Sequence, residues 1–251
     1  MIMFFEKFPE ITAWMSLRQD GNMKINYEKG ESTNNNRNRF FERVGIPKER
    51  VYSAQLDHGT KIGIVNNLSL RIIRSTDALI TSEKEIYIST TSADCFTVLL
   101  YDPIVKIIGV AHAGWAGVSE KIIPKVVSRM KKMGTRNKNI HVAVGPGICQ
   151  KHFEFDRLAA GRYFRKYNNP FFISKSDKNR TRVHINLRKI VLNQLTGGIN
   201  SIRRKNIEVI NECTFCNSER FFSARRGDFH VEDDKKRSIM NMVTLIGMKD
   251  I

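Results

Sequence analysis

Cys95, His58 and His112 are the residues of this chain whose types best suit chemistry. Cys95 closes Ser92-Ala-Asp-Cys95 directly after a β-rich run, and side chains at the C-terminal ends of strands project into the clefts of α/β sheets. His112 ends the apolar run from Ile104 to Ala111 and opens the Gly-rich turn His112-Ala-Gly-Trp-Ala-Gly117 before a helix, where unpaired N–H groups can meet anions. His58 stands beside a glycine in Gln55-Leu-Asp-His-Gly59. Each has a plain reading when taken singly. A lone cysteine is most often a buried small apolar residue, a strand-end histidine is as often structural as catalytic, and His-Gly after a strand is a turn. Together, two imidazoles and a thiolate suit Zn²⁺ with a fourth position left open for water or substrate. Spacing alone does not establish that the three meet. Cys95 and His112 would equally serve as nucleophile and base of a metal-free cysteine hydrolase.

A second thiol pair lies in Asn211-Glu-Cys-Thr-Phe-Cys216. A zinc site needs a further ligand pair, and none follows Cys216 at close spacing, so a structural zinc is not expected there. A redox pair would sit at a strand-to-helix entry, which is also not indicated, and a buried loop is the plain reading. The following Phe221-Phe-Ser-Ala-Arg-Arg226 mixes rings that can stack on a base with guanidinium forks that can pair a phosphate. A solvated basic turn is the alternative.

The elements that must position these residues are short strands. Ile86 to Thr91, Thr97 to Tyr101 and Ile104 to Ala111 read as strands, with Asp102-Pro103 as a turn. Val118 to Met133 carries Ile122, Ile123, Val126, Val127 and Met130 at helical spacing and stops at Gly134, and Pro124 marks a bend or a restart. Ile140 to Val144 and Ile207 to Ile210 read as further strands, Asn186 as the cap of a helix running to Gly197, and Ser238 to Ile246 as a last strand region. Residues 18–39 show little apolar periodicity and read as turns and surface. No repeat or linker divides the chain. The expectation is an α/β fold, a single domain over residues 1–251 with mixed β-sheets and flanking helices.

With 251 residues, 41% hydrophobic and 27% charged, the composition is that of a globular protein rather than a disordered or fibrous one. Lys and Arg number 42 against 25 Asp and Glu, a net charge of +17 that attracts anions without specifying which. The cations are spread along the chain with no nucleic-acid motif, so a basic nucleic-acid-binding protein is the weaker reading. The most apolar stretch, Thr97 to Ala111, is interrupted by Asp102, Pro103 and Lys106, which excludes a membrane span. The start lacks a secretion leader and four unevenly spaced cysteines make no disulfide framework, so a cytoplasmic location is expected.

Several of these segments also occur in a recognisable order. Thr76-Asp-Ala-Leu-Ile-Thr81, Thr91-Ser-Ala-Asp-Cys95, Leu99-Leu-Tyr-Asp-Pro103, Gly109-Val-Ala-His-Ala-Gly-Trp-Ala-Gly117, Gly145-Pro-Gly-Ile148 and Cys213 to Arg226 resemble the laccase-domain family, often labelled multicopper polyphenol oxidase and now regarded as purine nucleoside phosphorylases. The resemblance covers most of the chain, from about Asn38-Arg39 onward. It implies a zinc ion held by His58, Cys95 and His112, with copper as the less favoured metal. It also implies phosphorolysis of adenosine, inosine, guanosine and methylthioadenosine, adenosine deamination, and purine nucleosides and phosphate as partners. By the same resemblance Arg39, Gln55, Arg225 and Arg226 are substrate contacts, while Asp94 orients His58 or His112.

Two departures stand out. Gln55-Leu-Asp-His-Gly59 carries one residue more than the family's usual Gln-Val-His-Gly, and Ala116 stands where the family usually has Arg or Lys. A polyphenol oxidase with a mononuclear and a trinuclear copper centre would need many imidazoles, whereas the chain has six, His58, His112, His141, His152, His184 and His230.

Overall fold

Two sheets stacked face to face account for the apolar runs, because a strand covered on both faces has no polar side to show. The computed structural model describes residues 1–25, 35–167, 169–170, 172–176, 180–198, 201–231 and 237–250. All seven residues of Phe96–Asp102 and all seven of Ile107–Ala113 are buried. These two strands pair antiparallel with Thr97 opposite His112. They form the centre of a mixed six-stranded sheet in the order Ile207–Val209, His141–Val144, Phe96–Asp102, Ile107–Ala113, Ala78–Thr81, Ile62–Ile64. The second six-stranded sheet runs Ile2–Met3, Ile11–Met15, Met242–Met248, Tyr87–Ser92, Val51–Ala54, Ile72–Ile73.

The two-residue period of each strand decides what lies between the layers. Leu99, Tyr101, Ile108 and Val110 of the first sheet pack against Tyr52, Ala54, Ile88 and Ile246 of the second. Their neighbours Phe96, Val98, Leu100 and Ala111 point the other way, onto Val126, Val127 and Met130 of the Ile122–Lys132 helix and Ile190, Val191 and Leu195 of the Leu187–Thr196 helix. The outer face of the second sheet, formed by Val51, Tyr87, Val243 and Leu245, is covered by Phe40 and Phe41 of the Asn35–Arg43 helix. Each such ring contributes about 2 kcal/mol by leaving water. The order of layers is therefore helix, sheet, sheet, helix, the expected α/β fold with mixed sheets and flanking helices. No helix among the described residues is long and apolar enough to cross a membrane.

Two expectations need correction. The stretch read as turns and surface holds the start of the Asn35–Arg43 helix, where Arg37 is fully buried and donates to Met23 O and Ser53 Oγ; residues 26–34 lie outside the described residues. Its polar sequence hid a helix whose apolar contacts are two adjacent phenylalanines. The single helix from Val118 to Met133 is two, Trp115–Ser119 and Ile122–Lys132, separated by Lys121 at φ 64°. Pro124 falls in the first turn of the second helix, where its missing N–H costs nothing. Asn186 caps its helix as expected, accepting from Lys189 N at 3.0 Å.

The strand directions bring three chain segments to one end. Val51–Ala54 runs parallel to Tyr87–Ser92, so both C-termini emerge on the same side. The chain leaves Tyr87–Ser92 through Ala93, Asp94 and Cys95 and crosses directly into Phe96–Asp102 of the other sheet. There it meets the end of its partner strand, which carries His112.

Gly247 tests the register. It lies opposite Tyr87, whose ring occupies the place of a glycine Cβ. Gly247→Ala is expected to cost about 1–3 kcal/mol of stability by overpacking, read from chemical denaturation. An unchanged midpoint would contradict this pairing.

Candidate active site

His112 is 3% exposed, and its Nδ1 lies 3.0 Å from Thr91 O. A carbonyl can only accept, so Nδ1 carries the proton and the lone pair is left on Nε2. That Nε2 is buried with no hydrogen-bond partner. Beside it stands Cys95 Sγ: a Cβ on Gly114 would lie 3.1 Å from Sγ and 3.2 Å from Nε2. Glycine at 114 thus keeps the space between the thiol and the imidazole nitrogen uncrowded. The His58 ring stands edge-on to that of His112 with centroids 5.2 Å apart. The structure therefore brings Cys95, His112 and His58 to one place.

Burial pushes the Cys95 thiol up to about 12, and the charges of Asp94 and Asp77 push in the same direction. Burial likewise lowers His112 to about 4, helped by His58. Without a cation this pair is a protonated thiol beside a weak base, poorly activated for nucleophilic attack.

The loop carrying His58 is tied down by a residue that the sequence reading gave no role, Asp77. Its carboxylate accepts from Gly59 N at 2.8 Å, and the N–H groups of Asp57 and His58 also face it. Its backbone oxygen accepts from His112 N at 2.7 Å, so one residue joins both imidazole-bearing segments. This turn lets His58 adopt φ 57°. Gln55 contributes through its backbone, donating to Ile73 O and accepting from Thr76 N. Leu56, in the lengthened motif, packs on the inter-sheet core. Only the presence of Asp77 in Thr76 to Thr81 singled it out in the sequence; nothing local marks an aspartate that bonds to a loop 18 residues earlier.

Asp94 corrects an expectation. Its carboxylate orients neither histidine. It accepts from Thr214 Oγ1 at 2.6 Å, Ser223 Oγ at 3.0 Å and Arg225 N at 2.7 Å, fastening the 213–226 segment to the Cys95 turn. Arg226 corrects another. Its guanidinium is committed to Thr214 O, Phe215 O, Phe221 O and the Asp228 carboxylate, a clamp inside the segment rather than a substrate contact. Phe221 and Phe222, 0% and 2% exposed, offer no face for stacking. Arg39 is exposed on the Asn35–Arg43 helix and donates to Asn36; no described contact joins it to Cys95.

Arg225 fits the expectation better. It lines a cavity of about 260 Å³ together with Cys95, Trp115, Ile148, Phe153 and Leu187. Both terminal nitrogens donate to Glu154 O at 3.0 Å, and the guanidinium lies over the Phe153 ring, 5.8 Å from its centroid. Five N–H donors leave it capacity for an anion.

The thiol pair at Cys213 and Cys216 also departs from expectation. Its partners lie upstream rather than downstream: Cys149, His152, Cys213 and Cys216 have ligand atoms all within 4.8 Å of one another. Each partner stands 64 residues earlier in the chain, Cys149 before Cys213 and His152 before Cys216, beyond the reach of a local spacing pattern.

A sequence profile of the family described as multi-copper polyphenol oxidoreductase laccase matches residues 19–248. The chain belongs to this laccase family. Over 180 residues it is 31% identical to purine nucleoside phosphorylase RP494 of Rickettsia prowazekii, covering 69% of each chain. Over 191 residues it is 32% identical to adenosine deaminase RL5 of an unknown prokaryotic organism, covering 73% of this chain and 72% of that one. A purine nucleoside phosphorylase of Deinococcus radiodurans is 40% identical over 87 residues, a match that spans 35% of this chain and only 34% of the relative. The fold is shared with Bacillus licheniformis hypothetical protein YfiH, TM-score 0.82 at 22% identity over 97% of this chain and 95% of that one. YlmD from Geobacillus stearothermophilus shares it too, TM-score 0.81 at 22% identity over 98% and 94%.

The two adjacent arginines of this laccase-family member should behave differently. Arg226→Ala is expected to lose roughly 2 kcal/mol of stability, while Arg225→Ala stays within about 0.5 kcal/mol of the parent in the same denaturation assay. Burial alone would raise the Asp228 carboxyl, but hydrogen bonds from Arg226, Ser223 N and Arg18 hold it below its ordinary value. A lowered folded-state pKa contributes stability above the unfolded value, near 3.9, that disappears as pH falls through the folded one. The stability gap between parent and Asp228→Asn should therefore be full at pH 6 and shrink below about pH 4. A gap that widens in acid would contradict the clamp.

Proposed function

We propose that this protein is a purine nucleoside phosphorylase. It cleaves the N-glycosidic bond of adenosine, inosine, guanosine or methylthioadenosine with phosphate as the attacking group, and deaminates adenosine as a second activity. The observation that carries the reading is His112 Nε2, a buried imidazole nitrogen without a partner, beside Cys95 Sγ at a cavity bordered by Trp115, Phe153 and Arg225. The names of the relatives over two thirds of the chain support it.

The donor set fits a metal. An orphaned Nε2 beside a thiol is what a cation would satisfy, and His58, its ring 5.2 Å from that of His112, would be the third ligand. His58, Cys95 and His112 would hold zinc; the same donors also suit copper, the metal in the family description. When bound, zinc supplies a Lewis acid and lowers the pKa of a water. Thr91 O fixes the His112 tautomer that leaves Nε2 free. Trp115 and Phe153 give the cavity apolar walls for a planar base, and Arg225 is the one cation among its lining residues, placed to hold phosphate. In the reaction a phosphate oxygen bonds to the ribose anomeric carbon as the bond to the purine nitrogen breaks. The base departs with the bonding electron pair and takes up a proton.

The unactivated thiol and weak imidazole base speak against a metal-free cysteine hydrolase. Four unpaired cysteines accord with a reducing cytoplasm, where we place the protein.

Adenosine and inosine incubated with the protein should yield free base and ribose 1-phosphate only when phosphate is added, followed by chromatography. Base release indifferent to phosphate would overturn phosphorolysis, and ammonia with the glycosidic bond intact would report deamination alone. Cys95→Ser is expected to lose one metal ion per chain and to slow turnover roughly 10²-fold or more.

A further inference from the structure

We infer that Cys149, His152, Cys213 and Cys216 form a second, closed zinc site, separate from the His58, Cys95 and His112 group. The inference stands apart from the phosphorylase reading, because it rests on four ligand atoms and the two turns that present them.

Each turn presents a C-x-x-ligand pair. In the first, His152 N and Phe153 N both donate to Cys149 O, at 3.1 and 3.0 Å, which folds His152 back over Cys149. In the second, Asn217 N donates to Cys213 O at 3.0 Å and brings Cys216 round to Cys213. The turns are joined backbone to thiol, with Cys149 N donating to Cys213 Sγ at 3.2 Å, the kind of N–H···S bond that stabilises a metal-bound thiolate. His152 directs Nδ1 into the group, 3.3 Å from Cys149 Sγ and 3.4 Å from Cys216 Sγ. Zinc–sulfur bonds of about 2.3 Å and zinc–nitrogen bonds of about 2.0–2.1 Å place sulfur and nitrogen roughly 3.5 Å apart at tetrahedral angles, so both distances match an edge of that tetrahedron. The His152 ring is held in plane by stacking on Phe215, with centroids 4.1 Å apart at 20°.

Three sulfurs and one nitrogen complete a tetrahedron and leave no open position, which marks a structural site. Each thiol that binds releases its proton to solvent, and three thiolates around Zn²⁺ carry a net charge of −1. Arg226 lies close, donating to the carbonyls of Thr214 and Phe215 between the two cysteines. Cys216 is exposed, so the metal has a way in. The site pins the turn that carries Ile148 and Phe153 to the segment that carries Arg225. It would therefore fix the relative position of three residues that line the Cys95 cavity.

The experiment is zinc content per chain, measured in the parent, Cys216→Ser, Cys95→Ser and the double variant. The site predicts that Cys216→Ser lowers zinc by one ion per chain, whether or not Cys95 is present. Unchanged zinc in Cys216→Ser would overturn it. Unchanged zinc in Cys95→Ser would count against the active-site metal and leave this site standing, so the two failures are distinct. Should Cys216→Ser not fold, cobalt substitution of Cys95→Ser decides. Strong thiolate-to-cobalt charge transfer with tetrahedral visible bands is expected, and their absence overturns the site. A native mass two hydrogens low, placing a disulfide among Cys149, Cys213 and Cys216, would overturn it as well.

Discussion

Asp94 holds the cavity together. The chain crosses from one sheet to the other in three residues, and at the middle of that crossing a carboxylate 8% exposed accepts three hydrogen bonds from Thr214, Ser223 and Arg225. Leaving such a carboxylate unpaired would be costly, so the crossing and the 213–226 segment are ordered together. The backbone of Asp94 adds a further tie, accepting from Ile148 N at 2.9 Å. Cys95 follows immediately, so the same knot that fixes Ile148 and Arg225 also fixes the thiol.

The histidines are held by separate means. Thr91, in the strand before the crossing, sets the tautomer of His112, and Asp77 ties the His58 turn to the backbone of His112. Neither support is a side chain reaching across the cavity. The cavity floor is made of strand ends, and its wall is a loop segment clamped by Arg226, Asp228 and, in our inference, a second zinc. Arg225 is the member of that segment that lines the cavity, held by Glu154 O through both terminal nitrogens, whereas its neighbour's guanidinium is turned into the segment itself.

Much of this was legible in the sequence. The strands around Cys95 and His112 stood out because central strands buried on both faces are continuous apolar runs, and the helix after Lys121 stood out by its 3.6-residue period. The Asn35–Arg43 helix did not, because its apolar face is narrow and one of its buried residues is an arginine. Among site residues, Cys95, His58 and His112 were legible as a donor set by type, while their supports were not. Asp77 and Asp94 act through contacts 18 and more than 100 residues away, which no local pattern encodes. Arg226 looked like an anion contact for the same reason that it is a good clamp: its planar fork satisfies carbonyls as readily as phosphate. The Cys149 pair was missed because ligand spacing within one turn is readable, whereas the meeting of two turns is a property of the fold.

The central claim is that His58, Cys95 and His112 hold a metal at the cavity. X-ray absorption at the zinc edge of the Cys216→Ser variant tests it most directly, since removing a ligand from the other site leaves this one to be seen. The account predicts one sulfur neighbour near 2.3 Å and two imidazole nitrogens near 2.0–2.1 Å, with a light atom completing the shell. A zinc shell without sulfur, or one with the two sulfurs that Cys149 and Cys213 would supply, would contradict it.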